Sequence, residues 1–574
     1  MKDLLNKKLI VLILLAVIGF AVYYNSLKNG FHFDDTHHIA GNNYIKSLTN
    51  IPRFFIDINT FSANREIAHY RPVLMVTHAF NYAVGGLSPI GYHLVNLAFH
   101  VGSAFLIFLI LNVMLEGRGQ NHRTAFIASL AAGLIFIVHP FNTEVINYIS
   151  ARSSVMSGFF YLLAFYWWVK FRVQHRKVFY IASLTAFAVG ILTKESLITF
   201  PLMIWLYDII FAARQTGGPG KRGFTLSDYI KQGTSYVPYI VFVISPYLLL
   251  RSFLIKSALS ARAPRGYYEN LLLQVKVLVK YIYLLFLPYG LSIEHDISEV
   301  SSIGNVNVLG SIVIVIMLFG IAIFLLKSKI PDSRIISFSI FWFFITMLPT
   351  TIMPLNAPLQ ENRGYIAGAG FAVFLGIIIS RFSIRSTRSD YLKKIALIII
   401  MVLYSVASIE RNTVWKNDIT LWLDAIEKSP MSSRAHNNLG QTLYNNFRLT
   451  YLAIEEYKKA IEFKNNNYIA MNNLGSIYLE KGRLDLALAE FRNAVNADPN
   501  YIKGHMNLAR VYVKMGKWNE ARNESETVIK LGEFFRQEDE NTAEARRYLK
   551  WLGGTITSSS DVPVPPGQEF YLPP

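Results

Sequence analysis

Cysteine is absent from the 574 residues of this chain. The absence excludes disulfide bonds, zinc sites with thiolate ligands and cysteine nucleophiles, and it leaves only carboxylates and histidines as ligands for a metal ion. Charged residues are also scarce, because Asp, Glu, Lys and Arg make up 16% of the chain while hydrophobic residues make up 52%. With a mean hydropathy of +0.31, this composition predicts a polytopic membrane protein with some soluble mass attached.

Acidic residues are the rarer of the two charge types, with 38 Asp and Glu against 56 Lys and Arg. The basic excess is concentrated, since six short segments hold 21 Lys or Arg and only 5 Asp or Glu. The positive-inside rule therefore predicts that these segments are cytoplasmic, and we expect no nucleic-acid partner. The six segments are residues 1–8, 116–123, 170–177, 212–234, 327–334 and 381–394.

Long apolar runs separate the basic segments and predict an all-α, polytopic domain over residues 1–409 with 11 crossings. The runs are 9–24, 92–115, 124–140, 153–169, 178–193, 195–211, 236–252, 306–326, 335–350, 364–380 and 395–409. Residues 270–287 carry Lys276 and Lys280 four positions apart, and we predict an interfacial or re-entrant helix there. The N-terminus is then cytoplasmic, and two large loops, 25–91 and 253–305, lie outside the cytoplasm together with the C-terminal region.

Repeated small and aromatic residues mark that C-terminal region. Asn472-Asn473-Leu474-Gly475 recurs 34 residues later as Asn507-Leu508-Ala509, and an earlier copy begins at Asn437. This spacing predicts a tetratricopeptide-repeat (TPR) α-solenoid over residues 434–552, with a capping helix. A junction at 410–433 precedes it, and a flexible tail at 553–574, rich in Ser and Pro, follows it. The concave surface of such repeats usually binds a peptide or protein, although a spacer or oligomerisation module is the alternative.

Two adjacent carboxylates, Asp34 and Asp35, follow the first apolar run within about 10 residues. A carboxylate at this interface could deprotonate an incoming hydroxyl while a lipid-borne substrate lies in the bilayer. A divalent cation, Mn²⁺ or Mg²⁺, could bind to both carboxylates and His37, since oxygen and imidazole ligands suit manganese. The alternative is that one Asp only caps a following helix. Asp35 is the preferred base because it is nearer to the histidines that follow.

Further polar residues fall at helix ends on the same side of the membrane as Asp34. Charged groups are costly there and are more often functional, and a mixture of acids, bases and cations suits an anionic lipid. Taken singly, each histidine could instead only bond a neighbouring helix, and Lys194 could pair with Glu195. The residues are His69, Arg71, His93, His139, Glu144, Arg152, Lys194, Glu195 and Arg363.

Several of these motifs together resemble the transmembrane and tetratricopeptide repeat-containing family. The resemblance rests on Phe33-Asp34-Asp35, Tyr70-Arg71-Pro72, Gly91-Tyr92-His93-Leu94-Val95-Asn96, His139-Pro140 with Thr143-Glu144, Lys194-Glu195, and Arg411-Asn412 with Trp415. Members of that family are GT-C glycosyltransferases, similar to protein O-mannosyltransferases, that use a polyprenyl-phosphate sugar outside the cytoplasm. The resemblance, the lack of cysteine and the compact size predict a bacterial member in the inner (cytoplasmic) membrane.

The resemblance implies an inverting transfer in which Asp34 or Asp35 is the base. The acceptor would be a protein hydroxyl, with the repeat groove as a candidate acceptor site, and membrane lipids would surround the rest. Cations would bind the leaving phosphate, and the candidates are Arg152, Lys194, Arg363 and Arg71, followed by Arg262 and Arg265. His69, His93, His139, Glu144 and Glu195 would support the site. The alternative function is a non-catalytic membrane scaffold or receptor that recruits envelope proteins through its repeats, which leaves the clustered charges unexplained.

Overall fold

The structure is a computed structural model that describes residues 2–64, 69–117, 119–212, 233–254, 265–381, 387–534 and 540–555. All regular elements within these ranges are helices, which confirms the predicted all-α class. The predicted phosphate ligand Arg262 and most of the predicted tail lie outside the described residues. The chain divides into a membrane unit (Met1–Ile255 with Arg262–Asn417) and a repeat unit (Lys256–Ala261 with Asp418–Pro574).

The membrane unit is built from long helices joined by short helical turns. Its longer helices are α1 (Lys2–Tyr23), α2 (Pro72–Gly85), α3 (Pro89–Glu116), α4 (His122–Val138), α5 (Arg152–Gln174), α6 (Lys177–Ile191), α7 (Phe200–Tyr207), α8 (Val237–Leu254), α9 (Tyr267–Phe286), α10 (Val306–Lys327), α11 (Ser333–Ile352), α12 (Tyr365–Arg381) and α13 (Thr387–Val414). All eleven apolar runs identified in the sequence fall on helical segments.

Seven described helices are long and apolar enough to cross a membrane, judged by length and composition. The number rises to eight if the bent pair His122–Val138 and Pro140–Asn147 is one span, with a bend of 53°. The runs 153–169, 178–193 and 195–211 also form helices but do not meet that test. The count of 11 crossings therefore remains a prediction.

Helix α9 covers the segment for which we predicted something other than a full crossing. It is not among the helices that meet the length and composition test. One of its faces is buried through residues such as Leu273, Val277 and Tyr281. On another face Lys276 Nζ donates to Ser298 O at 2.8 Å, and Lys280 Nζ lies 4.7 Å from the ring centre of Tyr283. Both ammonium groups thus lie at the partly exposed surface of an otherwise apolar helix.

Glycines allow the central helices α4, α5 and α12 to approach closely. A Cβ on Gly158 would lie 2.5 Å from the ring of Tyr365, and one on Gly376 would lie 2.6 Å from the carbonyl oxygen of Ala128. Lipid chains are as apolar as the helices, so close van der Waals contact between small residues is a main source of helix association in membranes. These contacts place the N-terminal ends of α5 and α12 side by side.

The repeat unit consists of helix pairs in antiparallel arrangement. Its helices are α14 (Asp418–Lys428), α15 (Ser433–Phe447), α16 (Thr450–Phe463), α17 (Tyr468–Glu480), α18 (Leu484–Ala497), α19 (Ile502–Lys514), α20 (Trp518–Phe534) and α21 (Glu540–Thr555). Helix α17 begins 35 residues after α15, and α19 begins 34 residues after α17. The first repeat is therefore one residue longer than the second.

Close packing within each repeat explains the small residues of the pattern. A Cβ on Gly475 would lie 2.8 Å from the ring of Phe491 on the second helix of its repeat. Gly440 is in the same relation to Tyr457, where the corresponding distance is 3.0 Å. Because the aromatic ring occupies the space that a side chain would need, a small residue is required at this position.

A topology experiment tests the predicted sidedness of the repeat unit. With 11 crossings and a cytoplasmic N-terminus, a reporter that is active only outside the cytoplasm should be active when fused after Asp418. The same reporter fused after Gln120, in a predicted cytoplasmic segment, should be inactive. An inactive fusion after Asp418 would contradict the 11-crossing topology and would make residues 270–287 a full crossing.

Candidate active site

The acidic segment begins with an unusual backbone conformation at Phe33. Its φ of 46° lies in the left-handed region, which costs a non-glycine residue roughly 1–2 kcal/mol. A single helical turn, Thr36–Ala40, follows immediately. Asp34 and Asp35 therefore lie between a strained residue and a short turn, and their side chains take different environments.

Asp35 is fully buried and its carboxylate is surrounded by donors. Its Oδ1 accepts from Ser150 N at 2.6 Å and from Ser150 Oγ at 2.5 Å, while Oδ2 accepts from His32 N at 3.1 Å. Burial raises the pKa of Asp35 to about 6, although the hydrogen bonds from Ser150 and His32 oppose the shift. The side chain thus connects the first loop to the segment before α5, and its burial leaves no exposed oxygen for a substrate.

Asp34 is the more accessible carboxylate, with a side chain that is 31% exposed. Its Oδ2 accepts a 2.5 Å hydrogen bond from the hydroxyl of Tyr148, and its Oδ1 lies 3.3 Å from His37 Nε2. Burial alone would raise the pKa of Asp34, but the hydrogen bonds from His37 and Tyr148 and the nearby His38 lower it on balance. Asp34 is therefore ionised at neutral pH and partly accessible.

The predicted metal site at Asp34, Asp35 and His37 does not form. The carboxylates turn toward different donors, and no group of three His, Asp or Glu side chains within the described ranges is arranged to hold a metal ion. The hydrogen bonds of Ser150 and His32 to Asp35 occupy the positions that a cation would need. The residues present do not fit a divalent cation, and that part of the sequence prediction is not supported.

A series of aromatic contacts leads from Asp34 to the first cation. The rings of His37 and His38 lie 4.4 Å apart, and His38 contacts Phe61 at 4.7 Å. Phe61 in turn contacts His69 at 5.2 Å, and the Arg71 guanidinium lies 5.8 Å from the Phe61 ring centre. The predicted residues His69 and Arg71 therefore belong to the same site as Asp34.

Arg71 and Lys194 are brought together through Glu195. Arg71 donates to Glu195 from Nε at 3.3 Å and from Nη2 at 2.9 Å, and its Nη1 has no hydrogen-bond partner among the described residues. Lys194 adjoins Glu195 and is half-buried. Burial and the positive charge of Arg71 lower the pKa of Lys194 to about 7. The pair thus offers two adjacent cationic groups with donor capacity left over.

Lys194 is oriented by a directed chain of hydrogen bonds. Its Nζ donates to Ser154 Oγ at 2.7 Å, and the Ser154 hydroxyl donates to Asn362 Oδ1 at 3.0 Å. Asn362 donates to Glu144 from its amide side chain at 2.5 Å and from its backbone at 3.1 Å. Glu144 is therefore linked to Lys194 through Ser154 and Asn362, and its supporting role stays a prediction.

The other two predicted phosphate ligands differ from Lys194 in their surroundings. Arg152 is fully buried and donates to Asn96 Oδ1 at 2.8 Å, Tyr92 O at 2.9 Å and Thr77 Oγ1 at 3.3 Å. A guanidinium bonded in this way braces the start of α5 and has no access to a ligand in the site. Arg363 is half-buried and donates to Ala357 O at 2.5 Å, in the turn Glu361–Gly364 beside Asn362.

His93 and His139 bond to backbone carbonyls. The ring nitrogens of His93 lie 2.8 Å from Ile146 O and 3.1 Å from Asn29 O. His139 Nε2 lies 2.9 Å from Leu285 O, while Phe141 N donates to its Nδ1. Both histidines are buried and hold chain segments together, as the alternative interpretation of single histidines predicted. Arg265 similarly donates to Leu355 O at 3.0 Å and lies 3.5 Å from Glu299.

Sequence reasoning missed Tyr148, Ser150, Ser154 and Asn362, which bond directly to the predicted residues. A signal was present for the first two, since polar residues interrupt an otherwise apolar stretch between Glu144 and Arg152. Their partners could not be identified, because Tyr148 and Asp34 are 114 residues apart.

Comparisons with known proteins identify relatives of both units. Family models described as "TPR repeat" and "Tetratricopeptide repeat" match residues 475–516 and 456–489, which confirms the predicted repeats. The chain is 24% identical over 505 residues to human protein O-mannosyl-transferase TMTC3, covering 81% of this chain and 52% of the relative. It is 26% identical over 499 residues to mouse protein O-mannosyl-transferase TMTC4, covering 77% of this chain and 65% of the relative.

A worm relative gives a similar result. The Caenorhabditis elegans protein O-mannosyl-transferase F38B6.6 is 25% identical over 465 residues, covering 79% of this chain and 62% of the relative. The chain spans about half the length of the first of these relatives, human TMTC3. Among solved structures, ArnT from Cupriavidus metallidurans bound to undecaprenyl phosphate matches with a TM-score of 0.37 and 14% identity, covering 87% of this chain and 80% of ArnT. The family resemblance drawn from the motifs is confirmed by the sequence relatives.

The different environments of the two carboxylates predict different effects on stability. Asp35→Ala should lower the free energy of unfolding by about 2 kcal/mol, because Ser150 and the His32 backbone lose a buried acceptor. Asp34→Ala should cost clearly less, since the Asp34 side chain is partly exposed and water can enter the space that it leaves. Thermal unfolding of both variants in the same detergent measures the difference, and equal midpoints would contradict the assignment of Asp35 as the structural carboxylate.

Proposed function

We propose that this chain is a membrane glycosyltransferase that moves a sugar from a polyprenyl-phosphate donor to a hydroxyl of a protein Ser or Thr. The reaction takes place on the extracytoplasmic side and inverts the configuration at the sugar C1. The observation that carries the proposal is the placement of the half-exposed, ionised Asp34 in one polar cluster with Arg71 and Lys194. The named activity of the sequence relatives supports the reaction class.

Asp34 Oδ1 is the proposed base. It accepts the proton of the acceptor hydroxyl while the hydroxyl oxygen attacks C1 from the face opposite to the phosphate. The bond between C1 and the phosphate oxygen breaks, and polyprenyl phosphate leaves with one additional negative charge. The exposed side of Asp34 returns the proton to water. Asp34 replaces Asp35 as the preferred base, because Asp35 is buried and bonded to three donors.

Lys194 and Arg71 are the proposed cations for the phosphate. Lys194 Nζ uses one donor on Ser154, and Arg71 Nη1 has no partner among the described residues, so both can donate to phosphate oxygens. Arg363, near the same hydrogen-bond chain, adds positive charge. Arg152 is assigned a bracing role, because its donors already have acceptors.

The repeat unit is the proposed site for a peptide acceptor, because the concave surface of stacked repeats is the surface that such proteins use for binding. Asn473 donates to Asn437 at 3.2 Å and Asn507 donates to Asn472 at 2.7 Å, which links the first helices of successive repeats.

Asp34→Asn tests the base directly. The amide keeps the size of the side chain but cannot accept a proton, so glycosylation of the acceptor should fall roughly 10²- to 10⁴-fold with donor binding retained. Asp35→Asn should lose less activity and more thermal stability, because an amide NH₂ turned toward the His32 N–H would replace an acceptor by a donor.

The two variants are compared at matched expression, with donor binding measured separately. Full activity of Asp34→Asn would exclude the assigned base and, if Asp35→Asn is also fully active, would favour the non-catalytic scaffold.

Lys194 predicts a pH dependence of donor binding. A bound phosphodiester stabilises the ammonium form, so the pKa of Lys194 should rise above about 7 on binding. Donor affinity should therefore be highest below pH 7 and decrease as the pH rises through 7 toward the pKa of the bound state. Lys194→Met should weaken binding by about 1.5–3 kcal/mol and flatten this pH profile.

Lys170→Met is the matched control. Lys170 lies near the C-terminal end of α5, whereas Ser154, the hydrogen-bond partner of Lys194, lies near its N-terminal end. If Lys194→Met binds the donor with unchanged affinity and the same pH dependence as wild type, the role of Lys194 is contradicted.

A further inference from the structure

Tyr148 contacts the proposed base although no sequence motif marked it. Its side chain is 5% exposed, and its hydroxyl donates to Asp34 Oδ2 at 2.5 Å. Burial, together with the charges of Asp34 and Asp35, raises the pKa of Tyr148, so the hydroxyl keeps its proton and remains a donor. One oxygen of the Asp34 carboxylate is therefore held from the protein side.

The second oxygen of Asp34 is held more weakly. Oδ1 lies 3.3 Å from His37 Nε2, and both side chains are partly exposed. Because Tyr148 holds Oδ2 by the shorter bond, Oδ1 is the oxygen with the weaker protein contact. Without the Tyr148 hydroxyl, the carboxylate could turn about its χ2 torsion, which is broad for Asp.

Trp415 holds the Tyr148 ring in place. The two rings are stacked at 5.9 Å with an interplanar angle of 20°, and Trp415 is fully buried. The backbone oxygen of Trp415 accepts from His32 Nε2 at 2.7 Å, and the His32 ring meets the indole edge-on. Trp415 comes directly after α13, near the end of the membrane unit, whereas His32 belongs to the first loop.

Asn412 strengthens the same connection one turn earlier. Its Nδ2 donates to Val22 O and to Asn25 Oδ1, each at 2.9 Å, and its Oδ1 accepts from Asn147 Nδ2 at 2.7 Å. Asn147 directly precedes Tyr148 in the chain. The end of α13 is thus bonded to the end of α1 and to the segment that carries Tyr148.

We propose that Tyr148 is a positioning residue for the base Asp34, and that Trp415 positions Tyr148 from the end of the last helix of the membrane unit. Tyr148 acts by orienting the carboxylate, and Trp415 acts by stacking on Tyr148. This inference rests on the proposed function, since it assigns a role in the same transfer reaction.

The test measures kcat, KM and donor affinity for the full-length variants Tyr148→Phe, Trp415→Leu and the double variant. Because Tyr148→Phe loses a charge-assisted hydrogen bond, it should lower kcat by about 10- to 100-fold. Its donor affinity and its KM values for donor and acceptor should stay within about twofold of wild type. Trp415→Leu should lower kcat in the same way, whereas Trp415→Phe, which retains an aromatic ring for stacking, should recover most of it.

The double variant separates positioning from general destabilisation. If Trp415 acts through Tyr148, the double variant should be no more than about twofold slower than the slower single variant. Tyr180→Phe is the control for loss of a tyrosine hydroxyl, because Tyr180 donates to Ser235 O and has no part in the site.

An unchanged kcat in Tyr148→Phe, or losses that multiply in the double variant, would overturn the inference. If either result occurs while Asp34→Asn is inactive, the proposed function stands and only the positioning role fails. If Asp34→Asn is fully active, the base assignment fails as well.

Discussion

The burial of the Asp35 carboxylate is the constraint on which the rest of the site depends. Removing an ionised carboxylate from water costs several kcal/mol unless protein donors replace the lost hydration. Ser150 and the His32 backbone supply those donors, and Ser150 lies 115 residues further along the chain. The bond therefore fixes the first loop against the segment before α5. Asp34, the residue before Asp35, is left partly exposed and bonds to Tyr148 and His37.

Arg152 and Lys194 also differ in the hydrogen-bond acceptors around them. A buried guanidinium is tolerated when acceptors surround it, and Arg152 has three of them. Lys194 is different, because Ser154 supplies its hydrogen-bond acceptor and Arg71 raises the cost of its charge. A buried cation with few acceptors gains more stabilisation of its charged form from an anionic ligand than a cation that protein acceptors already stabilise. This difference is the reason for proposing Lys194, with Arg71, as the site of the phosphate.

The repeat unit depends on a different physical principle, which is close packing without buried charge at its centre. Gly475 leaves room for Phe491, and Gly440 leaves room for Tyr457. Two histidines add a polar link between the helices of a repeat: His436 bonds to Glu456 and His505 bonds to Glu524. Burial would lower the pKa of both histidines, but the hydrogen bonds that they donate to these glutamates raise it on balance. The first and third described repeats are therefore held by the same pair.

Hydropathy and repeat spacing determined much of the architecture. A backbone that crosses lipid must form its hydrogen bonds internally, so each apolar run was predictable as a helix. The packing of Gly475 against Phe491 recurs at fixed intervals, so the repeats could be recognised without coordinates. The sequence also indicated most of the polar residues of the site, including Asp34, Arg71 and Lys194.

Only the tertiary structure decided what each of those residues does. Asp34 and Asp35 are identical in type and adjacent in sequence, yet the left-handed turn at Phe33 and the distant Ser150 bury one and expose the other. Arg152 and Lys194 were equivalent as candidates until their acceptors were known. Hydropathy and spacing act locally along the chain, whereas burial and hydrogen-bond satisfaction depend on partners more than a hundred residues away, and these set the chemistry of the site.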